Sequence, residues 1–416
     1  MLNEDLKTKS LITTRIFRVC PVMPYLNLFQ KTLKGTETFR DIQQIYEKEN
    51  LYFPKGWLKS NQCKDYLVEN VIYGDMLSQM TWALENNFEN LLSRENFLEE
   101  VLLKQISNFK ADIVFFNTGA LYRVNKEARN NIRKNCTSVK AIIGSWGDQL
   151  PPNESYVSYL GDLDFIFSCT VGYYDDIKKE GLNTIYCPSS FNEYISYEKT
   201  EKNIDVSFIG TTGYLQHDHF ERFIKLNLIF KLLLKKQIKF VLVAHEINAS
   251  ILSILSKSLF FIYPASYFPV ILLRAIRKFA RILKAGKLEN WINLIISFKR
   301  YKFKYLDYER FLRFDKTSVF LKMKKLTSKF KKHSLHPFLF ASEYYSALAK
   351  SKIVINLHRD EDNDVGNIRC FEVTGVGSCL LTDRADKLVN LFTEEEEIIG
   401  FQTAEECVRK IEQLLK

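Results

Sequence analysis

The chain has 416 residues, a formal net charge of +10, 46% hydrophobic residues and 14% aromatics. It is too long for one small module and too apolar for a disordered chain, so a packed globular protein of two domains is expected. Eight cysteines are scattered with no C-x-x-C pair and no His spacing that suits zinc, which argues against a zinc module and for free thiols.

Residues 12–24 (ITTRIFRVCPVMP) contain a first strand, and 25–29 start a helix. The stretch 51–60 is aromatic and loop-like; helical spacing is read at 66–86 and again at 97–109. From there a strand–helix alternation sets in. Strands are predicted at 111–117, 140–144, 164–168 and 184–187, with helices at 126–134 and 173–180 and a turn at 145–148. Such alternation implies a parallel sheet covered on both faces. Ligands of such sheets bind beyond the carboxyl ends of the strands, which nominates Asn117, Trp146, Asp148 and 168–170 as a functional rim. Asp148 there is either a functional carboxylate or a loop-capping one.

Residues 188–203 are polar and aperiodic, as a connection between domains would be. The expected division is 1–190 and 204–416. The second unit opens with a strand at 204–210, a Gly210-Thr211-Thr212-Gly213 turn, a helix at about 217–236 and a strand at 239–244. That turn is either an ordinary one or a place where main-chain amides meet phosphate.

Between this strand and the next, at 353–357, lies far more chain than one crossover requires, and 247–335 reads as a helical insertion. Its charge is extreme: 274–332 carries nineteen Lys/Arg against four acids. Arg274, Arg277, Lys278, Arg281 and Lys284 share one helix face, opposite Leu272, Ile276, Phe279 and Leu283. The apolar run 258–273 is short and broken by prolines, a weak match to a spanning helix. Two readings stand close together: a packed subdomain with a solvated basic face, or an anchor of 258–332 on an anionic membrane surface. Nucleic-acid binding is the least favoured, since no recognition fold accompanies the charge.

The stretch 351–383 holds the densest pattern: a buried strand, an acidic loop, a short helix at 367–373, Gly375-x-Gly377 and a second strand closing on Asp383. A helix start offers free amides to an anion. Arg369 in its first turn could bind phosphate, and Glu372, one turn on, could accept from vicinal hydroxyls. The same spacing would also suit a plain Arg–Glu surface pair. Glycines allow close backbone approach. His358, directly after the strand, is a further candidate for the site. The acidic run 394–397 reads as a solvated turn, with an amphipathic helix from 404.

The pattern S-K-I-x-x-N-x-H…N-x-R-x-F-E-x-x-G-x-G-x-x-L-L-T-D resembles the donor-binding half of GT-B glycosyltransferases, in particular the CgeB-like group. The opening D-V-S-F-I-G…H-x-x-R, with His219 and Arg222, and His336-Pro337 before E-Y-Y are similar too. The resemblance implies two Rossmann-like domains and transfer of a sugar from a UDP- or GDP-linked donor, without a metal, to a glycan or lipid-linked acceptor. It places the ribose on Glu372 and the diphosphate at the helix start, with Arg369 stabilising the departing diphosphate. A pair of acidic residues eight apart falls on Asp364 and Glu372. The expected donor site is Gly210, Thr211, Thr212, Gly213, His358, Asp364, Asn367, Arg369, Glu372, Gly375 and Gly377, with Asp148 and Arg369 in catalysis. No cofactor is expected. Alternatives are an epimerase of the same fold and a non-catalytic glycan- or membrane-binding protein. The N-terminus lacks a signal core, so the expected location is cytoplasmic, at the inner face of the cell membrane if the basic segment is an anchor.

Overall fold

The structure, a computed structural model, describes residues 14–22, 26, 30, 33, 37–48, 66–148, 150, 154–193, 195–211, 220–243, 335–336, 339, 341–358 and 366–416. In chain order the N-terminal half comprises β1 (Thr14–Pro21), α1 (Phe39–Lys48), β2 (Tyr66–Tyr73), α2 (Met76–Glu85), α3 (Phe97–Phe109), β3 (Ile113–Phe116) and α4 (Thr118–Leu121). Next come α5 (Lys126–Asn135), β4 (Ala141–Trp146), α6 (Tyr156–Leu160), β5 (Phe165–Ser168), α7 (Val171–Lys179) and β6 (Thr184–Tyr186). The six strands form one parallel sheet in the order β2-β1-β3-β4-β5-β6.

Local chemistry explains several of these elements. On α3, Phe97, Val101, Leu102, Gln105 and Ile106 are buried at helical spacing, and the helix ends where Lys110 turns left-handed at φ 53°. Asn125 caps α5 by accepting from the Ala128 amide. Arg129 on α5 is then locked to Asp162 at 2.7 Å, both groups almost fully buried.

One expectation fails here. The predicted helix 66–86 is a strand, β2, followed by a turn and α2. YLVENVIY carries apolar residues at helical intervals, but it is also rich in β-branched and aromatic side chains. Pairing over eight residues with β1, from Thr14–Tyr66 to Pro21–Tyr73, decides for strand. A smaller difference is that β4 runs on through Ser145 and Trp146, leaving only Gly147 and Asp148 of the predicted turn.

The second half contains β7 (Ile204–Ile209), α8 (Phe220–Lys235), β8 (Phe240–Val243), β9 (Leu335–His336), α9 (Ala341–Ala349) and β10 (Ser351–Asn356). It continues with α10 (Ile368–Gly375), β11 (Cys379–Asp383), β12 (Ile399–Phe401) and α11 (Ala404–Leu414). Again all pairs are parallel, in the order β12-β11-β10-β7-β8-β9. The fold is therefore mixed α/β with two Rossmann-like sheets, as expected. Most of the basic insertion 247–335 lies outside the described residues; its last residue, Leu335, already belongs to β9. Among the described residues no helix is long and apolar enough to cross a membrane.

The sheet order creates a switch point. The chain enters the second sheet at β7, moves outward to β9, then returns beside β7 at β10 and moves the other way to β12. The crossovers leave β7 and β10 in opposite directions, so a crevice opens beyond their carboxyl ends. The connection 188–203 is not a free tether. Ile195 is buried in the second unit's core, and Lys202 Nζ donates to the Ala349 and Ser351 carbonyls and to Ser378 Oγ. An ion pair of 2.9 Å joins Lys387, before β12, to Asp175 on α7 of the other unit.

Candidate functional site

The side chains that gather at the switch point come from five elements. After β7, the chain reaches Gly210 and Thr211; after β10, Leu357 and His358; β11 ends in Asp383; α8 supplies Arg222 and Lys225; α10 begins above them with Asn367 and Arg369. Arg222 bridges the two strand ends, donating from Nη2 to the Leu357 carbonyl at 2.9 Å and from Nη1 to Thr211 Oγ1 at 3.3 Å. Lys225 Nζ lies 3.6 Å from Asp383 Oδ2.

Arg369 leans back across the crevice toward β7. A Cβ placed on Gly210 would lie 3.3 Å from its Nη1 and 3.6 Å from its Nη2. The absence of a side chain at Gly210 is what seats the guanidinium there. Its Nε is 3.5 Å from Glu372 Oε2, and its Cζ stands 5.1 Å from the centroid of the Tyr344 ring. Burial works against the positive charge, but Tyr344 and Glu372 outweigh it and hold the pKa above its ordinary value. Neither Nη1 nor Nη2 donates to a described residue, although the side chain is 22% exposed. A fork of two donors on a fixed cation is thus presented to the crevice.

Glu372 is placed otherwise than expected. It is 7% exposed, and both oxygens accept from phenols: Oε1 from Tyr345 at 2.8 Å and Oε2 from Tyr344. Burial, with the neighbouring carboxylate, pushes the Tyr344 hydroxyl well above its ordinary 10 despite the opposing Arg369, so it remains a donor. The carboxylate binds a tyrosine pair.

His358 is buried under the start of α10. Its Nδ1 and its backbone amide both meet Asp383 Oδ1 at 2.9 Å. Burial disfavours the imidazolium, but the Asp383 carboxylate overrides it and raises the pKa to about 10. The Gly366 amide lies 3.3 Å from Nε2, a long contact that a protonated ring gives up. The ion pair is the shorter and stronger of the two interactions, so the charged ring is the state the site favours. Asp383 in turn has its pKa lowered: burial opposes this, and His358 and Lys225 prevail.

Asn367 is the N-cap of α10, but its side chain makes no capping bond; its Nδ2 turns 3.5 Å from Asn356 Oδ1. Of the first-turn amides, that of Cys370 donates to the Asn367 carbonyl at 2.9 Å, and those of Ile368 and Arg369 are left for another partner. Asn356 itself is buried, donating to Cys370 Sγ and Thr382 Oγ1.

Two predicted donor residues are misplaced. Gly375 is the last residue of α10 and Gly377 lies in the turn before β11, so both sit at the amino-end edge of the parallel sheet. The eight residues of α10, at about 1.5 Å each, separate them from the crevice. The close approach Gly375 permits is to Phe191, whose Cγ would lie 2.1 Å from an added Cβ. Gly377 adopts φ +76° and closes the turn. Thr212, Gly213 and Asp364 lie outside the described residues.

In the other unit, Asp148 follows the end of β4, half-buried, on the carboxyl edge of the first sheet. Trp146, nominated for that rim, is fully buried, with ring centroids 5.1 Å from Tyr122 and 5.5 Å from Tyr159; it is core. Asn117 accepts from the buried Arg18 at 3.2 Å. Among the described residues no three His, Cys, Asp or Glu are grouped to hold a metal ion.

Tyr344, Tyr345 and Asp383 were not nominated as site residues. The available signal for Asp383 was its position as a carboxylate ending an apolar run, opposite a histidine ending the neighbouring one. For the tyrosines it was the E-Y-Y stretch after His336-Pro337, which marked a resemblance but gave no role to either ring.

Residues 307–416 match a family model described as Glycosyl transferase-like. No curated protein matches the chain. Among solved structures, a glycosyltransferase from Rickettsia africae is similar at 11% identity, with 97% of this chain and 88% of that one covered and a TM-score of 0.47. HepE from Anabaena, in complex with UDP-glucose, is similar at 9% identity, covering 97% and 90%, TM-score 0.49. Sucrose-phosphate synthase from Thermosynechococcus elongatus follows at 8%, again 97% and 90%, TM-score 0.45.

Proposed function

We propose that the chain is a GT-B-type glycosyltransferase that moves a sugar from a nucleoside-diphosphate donor to a hydroxyl acceptor. The observation that carries this reading is the placement of Arg369: a cation anchored behind by Glu372, with two undonated nitrogens over Gly210 at the switch point of a parallel sheet. The residue lies within the segment that matches the Glycosyl transferase-like family.

In this reading the leaving group is a nucleoside diphosphate, and charge builds on its outer phosphate as the glycosidic bond breaks. Arg369 neutralises that charge in place, aided by the uncapped amides at the start of α10, with no reorganisation at the moment of reaction. The surroundings favour an anion: Arg222, Lys225, Arg369 and the His358 imidazolium outnumber Asp383 and Glu372. Because a fixed guanidinium performs this neutralisation, transfer proceeds without a divalent ion, and a chelator should leave it intact. The acceptor binds on the N-terminal unit, where Asp148 orients its hydroxyl and takes its proton.

The test is incubation of the full chain with UDP- and GDP-linked sugars and a panel of glycan and lipid-linked acceptors, following nucleoside diphosphate release and product mass. Release that depends on acceptor supports transfer. Isomerised nucleotide sugar without acceptor would replace it with epimerisation, and tight nucleotide binding with no turnover would leave a binding protein.

A further inference from the structure

At the carboxyl edge of the first sheet β5 and β6 end side by side, with Ser168 and Tyr186 in register and their side chains on one face. Ser168 donates its hydroxyl to the Thr170 carbonyl at 3.2 Å. Two other hydroxyl oxygens there, Thr170 Oγ1 and Tyr186 Oη, are buried without a hydrogen bond. Thr170 is 3% exposed and is the N-cap of α7, a position from which a hydroxyl usually accepts from its own helix, yet it makes no capping bond. The Val171 and Gly172 amides, which have no carbonyl partner inside the helix, donate to no described residue. Leaving such groups unsatisfied costs stability, and a ligand that accepts from them recovers it. Burial, with Cys169 and Cys187 nearby, raises the Tyr186 hydroxyl above its ordinary 10, so it stays a donor.

The place lies against the crevice between the units. Lys387 of the second unit pairs with Asp175, which is one turn along α7 from Val171 and on the same face. Asp148 stands two residues beyond β4, as Thr170 stands two beyond the neighbouring β5. Cys169, Val171 and Gly172 are half-buried, so a small group reaches the helix start past them. The acids on α7 do not oppose a negative ligand, since Asp175 is paired with Lys387 and Asp176 with Lys179. Free amides at a helix start, with two hydroxyls beside them, suit a phosphate or a carboxylate.

We propose that the start of α7 holds an anionic group of the acceptor, a phosphate or a carboxylate, through Thr170 Oγ1, Tyr186 Oη and the Val171 and Gly172 amides. The acceptor is then a charged sugar. This rests on the reading above, in which the acceptor lies on the N-terminal unit: the anion is held at α7 while the reacting hydroxyl meets Asp148 on the adjacent strand end.

Calorimetry of the full chain with glucose, glucuronate and glucose 6-phosphate tests this without any transfer. It is run in Arg369→Ala, so that the guanidinium of the second sheet does not compete for the charged probes, and repeated with Thr170→Val or Tyr186→Phe added. At least one charged probe should bind more tightly than glucose. Each added substitution removes one hydrogen bond to a charged group and should weaken that probe about ten-fold. Thr170→Val should leave the unfolding midpoint equal or higher, because the hydroxyl has no partner in the fold. Binding by one charged probe alone supports the site and names the anion. Glucose binding as tightly as both charged probes overturns the anionic class. Absence of binding, or affinities that ignore both substitutions, overturns the site, as does a midpoint lowered by Thr170→Val. None of these outcomes depends on turnover, so their failure is distinguishable from failure of the transferase reading, which nucleoside diphosphate release decides.

Discussion

His358 and Asp383 meet twice, through the imidazole Nδ1 and through the backbone amide, both 2.9 Å from the same carboxylate oxygen. The contact ties the carboxyl end of β10 to that of β11 beneath the start of α10. It also makes stability depend on pH. His358 rises from 6.5 to about 10, so its contribution is complete below about 6.5 and is lost as pH climbs toward 10. Asp383 is lowered from 3.8, so its share is present above that value and is lost as acid brings the pH down through the folded value. Urea unfolding of wild type and His358→Gln should differ by on the order of 3 kcal/mol between pH 5 and 6.5, the cost of stripping a buried charge of its partner. The difference should shrink steadily toward pH 10. A gap that is constant across this range would show that His358 is neutral in the folded chain.

Arg369 and Gly210 should behave as one unit. Arg369→Ala is expected to abolish turnover while leaving far-ultraviolet circular dichroism unchanged, because the side chain faces a crevice. Gly210→Ala introduces a methyl 3.3 Å from Nη1, displacing the guanidinium without removing it, and should raise the donor KM about ten-fold through one weakened charged contact. Full turnover in Arg369→Ala refutes the diphosphate role.

Asp148→Asn separates the two halves of the proposed reaction. Nucleotide affinity should stay at the wild-type value, since the residue lies on the first sheet, whereas kcat should fall by about 100-fold or more if it acts as general base. Loss of nucleotide binding, or of the fold, would move Asp148 to a structural role.

Gly375→Ala tests the packing of the connection. The new methyl would overlap Phe191, with its Cγ 2.1 Å away. Overpacking of this kind costs about 1–3 kcal/mol. Thermal unfolding should show that loss, and pairing the change with Phe191→Leu should recover part of it. An unaltered midpoint in the single variant would mean that Phe191 yields freely.

How far the sequence reaches follows from what sets each feature. The strands β3 to β5, β7, β8, β10 and β11 were legible because a strand buried within the sheet is written as a short apolar run, and α3 because its apolar residues recur at helical spacing. Those runs were enough for two α/β units, and the pattern from Ser351 to Asp383 was enough to draw attention to Arg369. β2 was misread because YLVENVIY satisfies both periodicities, and only its partner strand chose between them.

The site itself is a product of sheet order. Arg222 reaches Leu357 across 135 residues, Lys202 reaches Ser378 across 176, and Tyr345 reaches Glu372 across 27. No local pattern encodes such contacts. They exist because β10 inserts beside β7 rather than following β9, which brings the ends of two distant strands and the start of α10 to one place. Residue types and spacing determined which groups were available for an anion; the tertiary structure decided that Arg369 faces the crevice, that Glu372 stands behind it, and that Gly375 and Gly377 are at the other edge. Periodicity is local, whereas the direction in which a side chain points is set by what packs against it.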